Sequence, residues 1–352
     1  MPSLEKLIQW KAVEVVGIVT QPDRPAGRGN NIFSPPTKIV AGRYGIPVFQ
    51  PVKLSKSPDI VQAMRDLKPD ILVTVAFGQI LKKEVLTMAP HGVLNVHGSL
   101  LPKYRGAAPI NWAIINGETT TGVTTMYSDV GVDTGKMLLK REMEITPEMH
   151  AEDLAEAMSF VGADLLVETL DKLMSGNIEA QEQDNDAATF APRLTKDMGI
   201  IDWSKPANEI RNLVRGLFPW PGTSTFLDGH SVKIVATQLL NGEQKLLDGE
   251  QNIEPVAPGT LIKDSKIATS DSAGSTKGAV LVACGPDGKD RLILLSVKPS
   301  GKGEMSSMAW ANGIRLREAA RFTMESASSN TDANTNPNAN TNPNANTGAA
   351  QS

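Results

Sequence analysis

Short apolar runs alternate with amphipathic stretches along the first half of the chain. Ile71 to Phe77, Val93 to Val96 and Val123 to Tyr127 read as buried strands, and Val13 to Thr20 as another. Pro58 to Leu67 and Ala108 to Ile115 read as helices, as does Met1 to Trp10, with Pro2 and Ser3 near its start. From Ala151 to Met174, Leu154, Met158, Val161 and Leu165 recur at helical spacing, which predicts a long helix with one face on a core. Strands and helices in alternation predict an α/β unit over residues 1–180.

The periodicity stops near Gly176 to Arg193. Gln181-Glu182-Gln183-Asp184-Asn185-Asp186 is polar and poor in core residues, so residues 181–199 read as a linker. Beyond Ile200, short β-like runs at Val232 to Ala236, Ala279 to Ala283 and Leu292 to Val297 are separated by turn residues and predict a small barrel over 200–325. A helix at Ala207 to Leu217 precedes them and places Arg211 and Arg215 at i and i+4 on one face, where they read either as phosphate contacts or as a solvated surface. The Asn-, Pro- and Thr-rich repeat from Asn334 to Thr347 cannot bury enough surface to offset ordering entropy, so residues 326–352 are expected to be disordered.

Composition narrows the class without naming the chemistry. At 352 residues and 40% hydrophobic, the chain is long enough for two domains, each with its own core. A net charge of -4 excludes a uniformly basic nucleic-acid coat, so a nucleic-acid partner would have to meet a local positive surface. The single cysteine, Cys284, excludes an internal disulfide and a Cys-rich zinc site, and its neighbours Val280 to Ala283 predict a buried thiol. No apolar run approaches the roughly 20 residues that span a bilayer, and the start shows neither a signal-peptide pattern nor an Arg-rich presequence.

The candidate chemistry sits in Leu94-Asn95-Val96-His97-Gly98-Ser99-Leu100-Leu101-Pro102 and in Asp129-Val130-Gly131-Val132-Asp133-Thr134-Gly135. On an extended strand, i and i+2 project from one face, so Asn95 and His97 would share a small volume at the strand end. A carbonyl under attack by an amine needs a donor for the growing oxyanion and a base for the amine proton. Asn95 can supply the first, His97 can take part in both, and a carboxylate such as Asp133 can orient the histidine. The plainer alternative is a strand that ends in a polar loop. Asp129 is the rival carboxylate; Asp133 is preferred for its place in the Gly-rich turn. His91, His150 and His230 have no metal-ligand spacing and read as surface or loop histidines. Gly27-Arg28-Gly29, with Arg24 nearby, reads as a backbone nest with two cations for phosphate, or as a flexible loop without the Gly-Lys-Ser/Thr ending of a nucleotide P-loop. Lys103, Tyr104 and Arg105 read equally as substrate contacts or as a solvated turn.

The run from His97 to Ile110, with Gly131-Val132-Asp133-Thr134-Gly135, resembles the folate-dependent formyltransferases, in particular the branch that acts on methionine carried by initiator tRNA. Thr20 to Gly29 and Phe218-Pro219-Trp220-Pro221-Gly222 extend the resemblance, which runs to about Phe322. It implies a Rossmann-like formyltransferase domain followed by a small OB-like barrel. It also implies transfer of a formyl group from 10-formyltetrahydrofolate to the amino group of methionyl initiator tRNA, with no metal required. Asn95, His97 and Asp133 fall on the family's catalytic Asn, His and Asp. Ser99, Leu100, Leu101 and Pro102 fall on the segment that lines the folate site, and the loop from Pro22 to Asn31, with Arg24 and Arg28, on the insertion that reaches the tRNA acceptor end. A formyltransferase for a small amine and an inactive tRNA-binding protein are the alternatives.

Similar family members begin with a strand and a Gly-Thr-Pro-type turn ahead of the first helix. Neither stands here, so the expectation is a sheet whose neighbouring strands lack a partner. The tail, the polar insertion Asp271 to Gly278 and this start point to a eukaryotic gene and hence to a mitochondrial or plastid matrix, or to the cytoplasm if the chain is bacterial. The chain is expected to act as a monomer.

Overall fold

The computed structural model describes residues 1–26, 31–240, 254–271 and 274–325. Arg28 with its two flanking glycines, part of the Asp271 to Gly278 insertion and the tail 326–352 lie outside the described residues.

The first unit centres on a four-stranded sheet. Leu72–Val75 and Val93–His97 run parallel, with Thr74 opposite Asn95. Thr120–Tyr127 lies antiparallel on the far side of Val93–His97, and Met137–Glu144 antiparallel beyond that. The helix Ala151–Met174 buries Leu154, Met158, Leu165, Leu166 and Leu170 against this sheet. It comes closest at Gly162, where an added Cβ would stand 3.1 Å from Val96 Cγ1. A larger residue there would press on the strand that carries Asn95 and His97.

Ile18–Val19 and Val48–Phe49 pair in parallel as a separate two-stranded sheet. Among the described residues no strand joins it to the four-stranded sheet, and Val75 on the outer strand is 45% exposed. The strands expected over Val13 to Thr20 and Ile71 to Phe77 shorten accordingly, to Ile18–Val19 and Leu72–Val75. A strand with one partner keeps only the residues that the partner pairs, and Ala76, at φ 49, turns the chain away. Among the described residues no helix is long and apolar enough to cross a membrane.

The second unit is an antiparallel sheet in the order Thr223–Leu227, His230–Leu239, Asp290–Pro299, Gly274–Cys284, Leu261–Asp271. Residues 320–323 bond to both edge strands, through Phe226 and Thr323 on one side and Leu261 and Ala320 on the other, which closes the sheet into a small barrel. Alternating Val232, Ile234, Val280, Val282, Leu292 and Leu294 fill it, and Phe322 stacks between Trp203 at 5.4 Å and Trp310 at 5.9 Å. Cys284 is buried, and burial pushes its thiol up to about 12.

The linker expected over 181–199 is corrected by the structure. Gln181 pairs with Met137, Phe190–Ala191 forms a parallel pair with Arg105–Gly106, and Trp112 Nε1 donates to Pro192 O at 2.8 Å. A polar segment can be tied down by hydrogen bonds without supplying core residues, so its composition misreads as loose chain. The first unit therefore reaches past residue 180 to about Ala191.

Candidate functional site

Asn95 and His97 do project together from the C-terminal half of one strand, beside the end of its parallel neighbour, where open α/β sheets commonly place ligands. His97 is 5% exposed. Its Nε2 lies 2.9 Å from Tyr104 O. A carbonyl only accepts, so Nε2 carries the proton and donates, which leaves Nδ1 as the face that takes or holds a second proton. That face looks at Asp133 Oδ2 across 3.6 Å. With both ring nitrogens turned to protein groups, His97 is set for proton handling.

Asn95 is held differently. Thr74 Oγ1, on the neighbouring strand, donates to Asn95 Oδ1 at 2.9 Å. The amide oxygen is thereby engaged, and Nδ2 has no protein partner among the described residues. A donor that the protein orients and leaves unused is what a growing oxyanion requires.

Asp133 comes from the loop between Thr120–Tyr127 and Met137–Glu144, where it adopts φ 53. Gly106 N donates to its Oδ2 at 2.9 Å. Gly106 itself has φ 124, and an added Cβ would meet Ala191 O at 2.7 Å, so only glycine lets this backbone lie between Asp133 and Ala191. The rival Asp129 spends its carboxylate on its own loop, accepting from Gly131 N at 3.0 Å and Thr134 Oγ1 at 2.7 Å. Sequence reasoning did not find Gln183, which is 8% exposed and whose Nε2 donates to Asp133 O and Gly135 O, each at 2.8 Å. Gln183 lies 50 residues from Asp133 in a stretch with no periodicity to reveal it. Thr74 was missed as well, although its place on a predicted strand was a usable signal.

Half of the segment expected to line the folate site is turned inward. Ser99 and Leu101 bury their side chains; Ser99 Oγ donates to Lys103 O at 2.5 Å, and Thr124 Oγ1 donates to Ser99 O at 2.7 Å while accepting from Leu101 N at 3.1 Å. Leu100 and Pro102 stay partly exposed. The neighbouring triplet, read as substrate contacts or as a solvated turn, is largely buried. Tyr104 is buried with its hydroxyl on Glu118 Oε1 at 2.8 Å, burial pushes its phenol up to about 12, and Arg105 is buried on Gln183 and Asn185; Lys103 alone remains exposed.

Of the expected tRNA-facing arginines, Arg24 is exposed, with Nη2 at 3.2 Å from Gln21 Oε1, while Arg28 lies outside the described residues. Arg211 and Arg215 share a helix face as expected, but that face packs on the loop before Ala151–Met174. Arg211 Nη2 donates to Pro147 O; Arg215 Nη1 donates to Thr146 O at 3.2 Å and to Met149 O at 2.9 Å. Arg215 is 7% exposed, and burial lowers it to about 10. These contacts make the pair a clamp between the two units: Arg215 is turned inward, and Arg211 stays partly exposed. His150, read as a surface or loop histidine, stands in the same clamp, in the loop ahead of the helix Ala151–Met174 and 4.9 Å from the Phe218 ring. Among the described residues no three His, Cys, Asp or Glu are grouped to hold a metal ion.

Comparison with known proteins identifies the family. Residues 3–170 match the family model for formyl transferase, and residues 193–315 that for the formyl transferase C-terminal domain. The methionyl-tRNA formyltransferase of Geotalea daltonii is 49% identical over 327 residues, covering 93% of this chain and 96% of its own. That of Acetivibrio thermocellus is 46% identical over 285 residues, covering 81% of this chain and 85% of its own. A solved N-formyltransferase from Helicobacter canadensis, in complex with folinic acid and dTDP-3-aminofucose, superposes with a TM-score of 0.56 over 83% of this chain and 93% of its own at 20% identity, which shows a shared fold.

Proposed function

The chain belongs to the methionyl-tRNA formyltransferases, and from that membership we propose that Asn95, His97 and Asp133 carry the transfer of a formyl group from 10-formyltetrahydrofolate to the amino group of methionyl initiator tRNA. The formyl donor supplies the activated carbonyl. Asn95 Nδ2 donates to the negative charge that grows on the formyl oxygen as the amine attacks. The Nε2 proton of His97 is committed to Tyr104 O, so the ring's part in the reaction runs through Nδ1. His97 and Asp133 take the proton released by the attacking amine and return one to the departing folate nitrogen, so the transfer leaves no net charge behind.

The observation that carries this reading is the pairing of His97 Nδ1 with Asp133 Oδ2 at 3.6 Å, beside an asparagine donor whose oxygen is already engaged. Leu100, Pro102 and the backbone of 99–102 form the folate-facing surface, with Ser99 and Leu101 shaping it from inside. Arg24 and Arg28 serve the tRNA acceptor end. The small-amine alternative is not favoured: the relatives that align with nearly the whole chain are named for a tRNA substrate, whereas the likeness to the Helicobacter canadensis enzyme is one of fold. Bacterial relatives support the cytoplasmic form of the compartment reading.

Formyl transfer from 10-formyltetrahydrofolate to charged initiator tRNA tests the reading. Asn95→Ala should lower turnover roughly 100-fold to 1000-fold with circular dichroism unchanged. Near-normal turnover in that variant would remove Asn95 from the chemistry.

A further inference from the structure

Asp133 is the one member of the site that no strand holds, and at φ 53 it stands in a left-handed conformation that L side chains adopt less readily than glycine, so neighbouring bonds help to hold it. Such bonds come from the segment whose composition reads as a linker. Gln183 Nε2 has two protons, and it spends them on Asp133 O and Gly135 O, which flank Thr134. The peptide that carries Asp133 cannot turn without breaking one of these bonds.

The orientation of the Gln183 amide is itself fixed from behind. Arg105 Nε donates to Gln183 Oε1 at 3.0 Å, and Arg105 Nη2 donates to Asn185 Oδ1 at 2.9 Å. A guanidinium only donates and carbonyls only accept, so one amide orientation satisfies both neighbours. Gln183 and Arg105 are both buried, and water does not replace these bonds. We infer that Gln183 is a positioning residue for formyl transfer: it holds the Asp133 carboxylate against His97 Nδ1, and Arg105 determines which end of its amide faces the loop. This rests on the reading of Asp133 as the partner of His97.

Gln183→Glu tests it with almost no change of shape. The substitution keeps an acceptor toward Arg105 and replaces the donor that faces two carbonyls with a second acceptor. Steady-state formyl transfer in the full chain should show kcat lower by roughly 10-fold to 100-fold, the scale of a misplaced reacting group, with KM for both substrates within about twofold. The pH dependence of kcat should change with it, because the His97–Asp133 pair sets that profile. In an Asp133→Ala background the same substitution should cost nothing further, since its effect runs through Asp133. Gln183→Leu, which removes both ends of the grip, provides a second variant if the first folds poorly.

Full activity in folded Gln183→Glu and Gln183→Leu, beside a slow Asp133→Ala, would overturn the positioning role and leave the catalytic reading standing. An undiminished cost in the Asp133→Ala background would also overturn it, as the mark of a general structural defect. Full activity of Asp133→Ala would sink both readings together.

Discussion

Asn95 and His97 are held by a strand; Asp133 is held by single bonds from distant residues, one from a backbone N–H and the others from side chains. The first two stand on Val93–His97, hydrogen-bonded on both sides by Leu72–Val75 and Thr120–Tyr127, so sheet register sets where they point. Asp133 stands in a loop, and its place is set by Gly106 N, Gln183 Nε2 and, behind them, Arg105. A strand positions a residue with backbone bonds that any sequence of suitable pattern supplies. This loop positions one with particular residues, Gly106 and Gln183, each of which can be lost singly.

The largest effect expected from this contrast is at the strand. His97→Ala should lower kcat by about 100-fold to 10,000-fold, the range for a lost acid–base group, because nothing nearby substitutes for its ring. Unfolding should still be cooperative, since the strand's backbone bonds remain. Stopped turnover accompanied by a collapse of the near-ultraviolet circular dichroism would break the comparison, because His97 would then hold the fold as well as the reaction.

The same contrast explains what was legible in the sequence. Asn95 and His97 were readable because i, i+2 on an apolar strand has one geometric meaning, and the strand did form. Asp133 was readable from its Gly-rich turn and the resemblance it completes. Gln183 was not, because a buried hydrogen-bonding side chain leaves no periodic trace, and a run of Gln, Asp and Asn reads as loose chain unless its partners are known. The clamp made by Arg211 and Arg215 was hidden for a related reason. Their spacing gave the shared face correctly, and only tertiary structure shows that carbonyls of Thr146, Pro147 and Met149 cover it.

Arg215 is to the loop 146–149 what Gln183 is to Asp133, and it carries the next largest prediction. Arg215→Met keeps the aliphatic stem but abandons two buried carbonyls, which should cost about 1–3 kcal/mol of stability in denaturant unfolding. Affinity for initiator tRNA and the slope of its salt dependence should stay as they are. A slope lower by about one unit would make Arg215 a phosphate contact after all.

Thr74 sharpens the comparison from the strand side, because even a strand-held residue needs one side-chain bond to orient its amide. Thr74→Val removes the donor to Asn95 Oδ1 with little change of shape. Turnover should fall by roughly threefold to tenfold, the worth of one neutral hydrogen bond, with unchanged KM and with recovery in Thr74→Ser. No loss in Thr74→Val would mean that backbone register alone orients Asn95.

The smallest effect concerns the clamp that Arg215 shares with His150. Burial lowers the pKa of His150 below 6.5, helped by the charges of Arg215 and Arg211 and opposed by Asp153. In the unfolded chain the ring takes its proton near 6.5, whereas in the folded chain it does so only at lower pH. Between those values the unfolded state binds more protons, so stability rises with pH through this window, is fully present above about 6.5, and is lost as pH falls below it. Thermal midpoints at pH about 7.5 and about 5.5 should therefore differ less in His150→Asn than in the parent chain, since the variant has no ring to protonate. An equal or larger difference in the variant would place the acid sensitivity elsewhere, and the loop 146–149 would then owe its position to the two arginines alone.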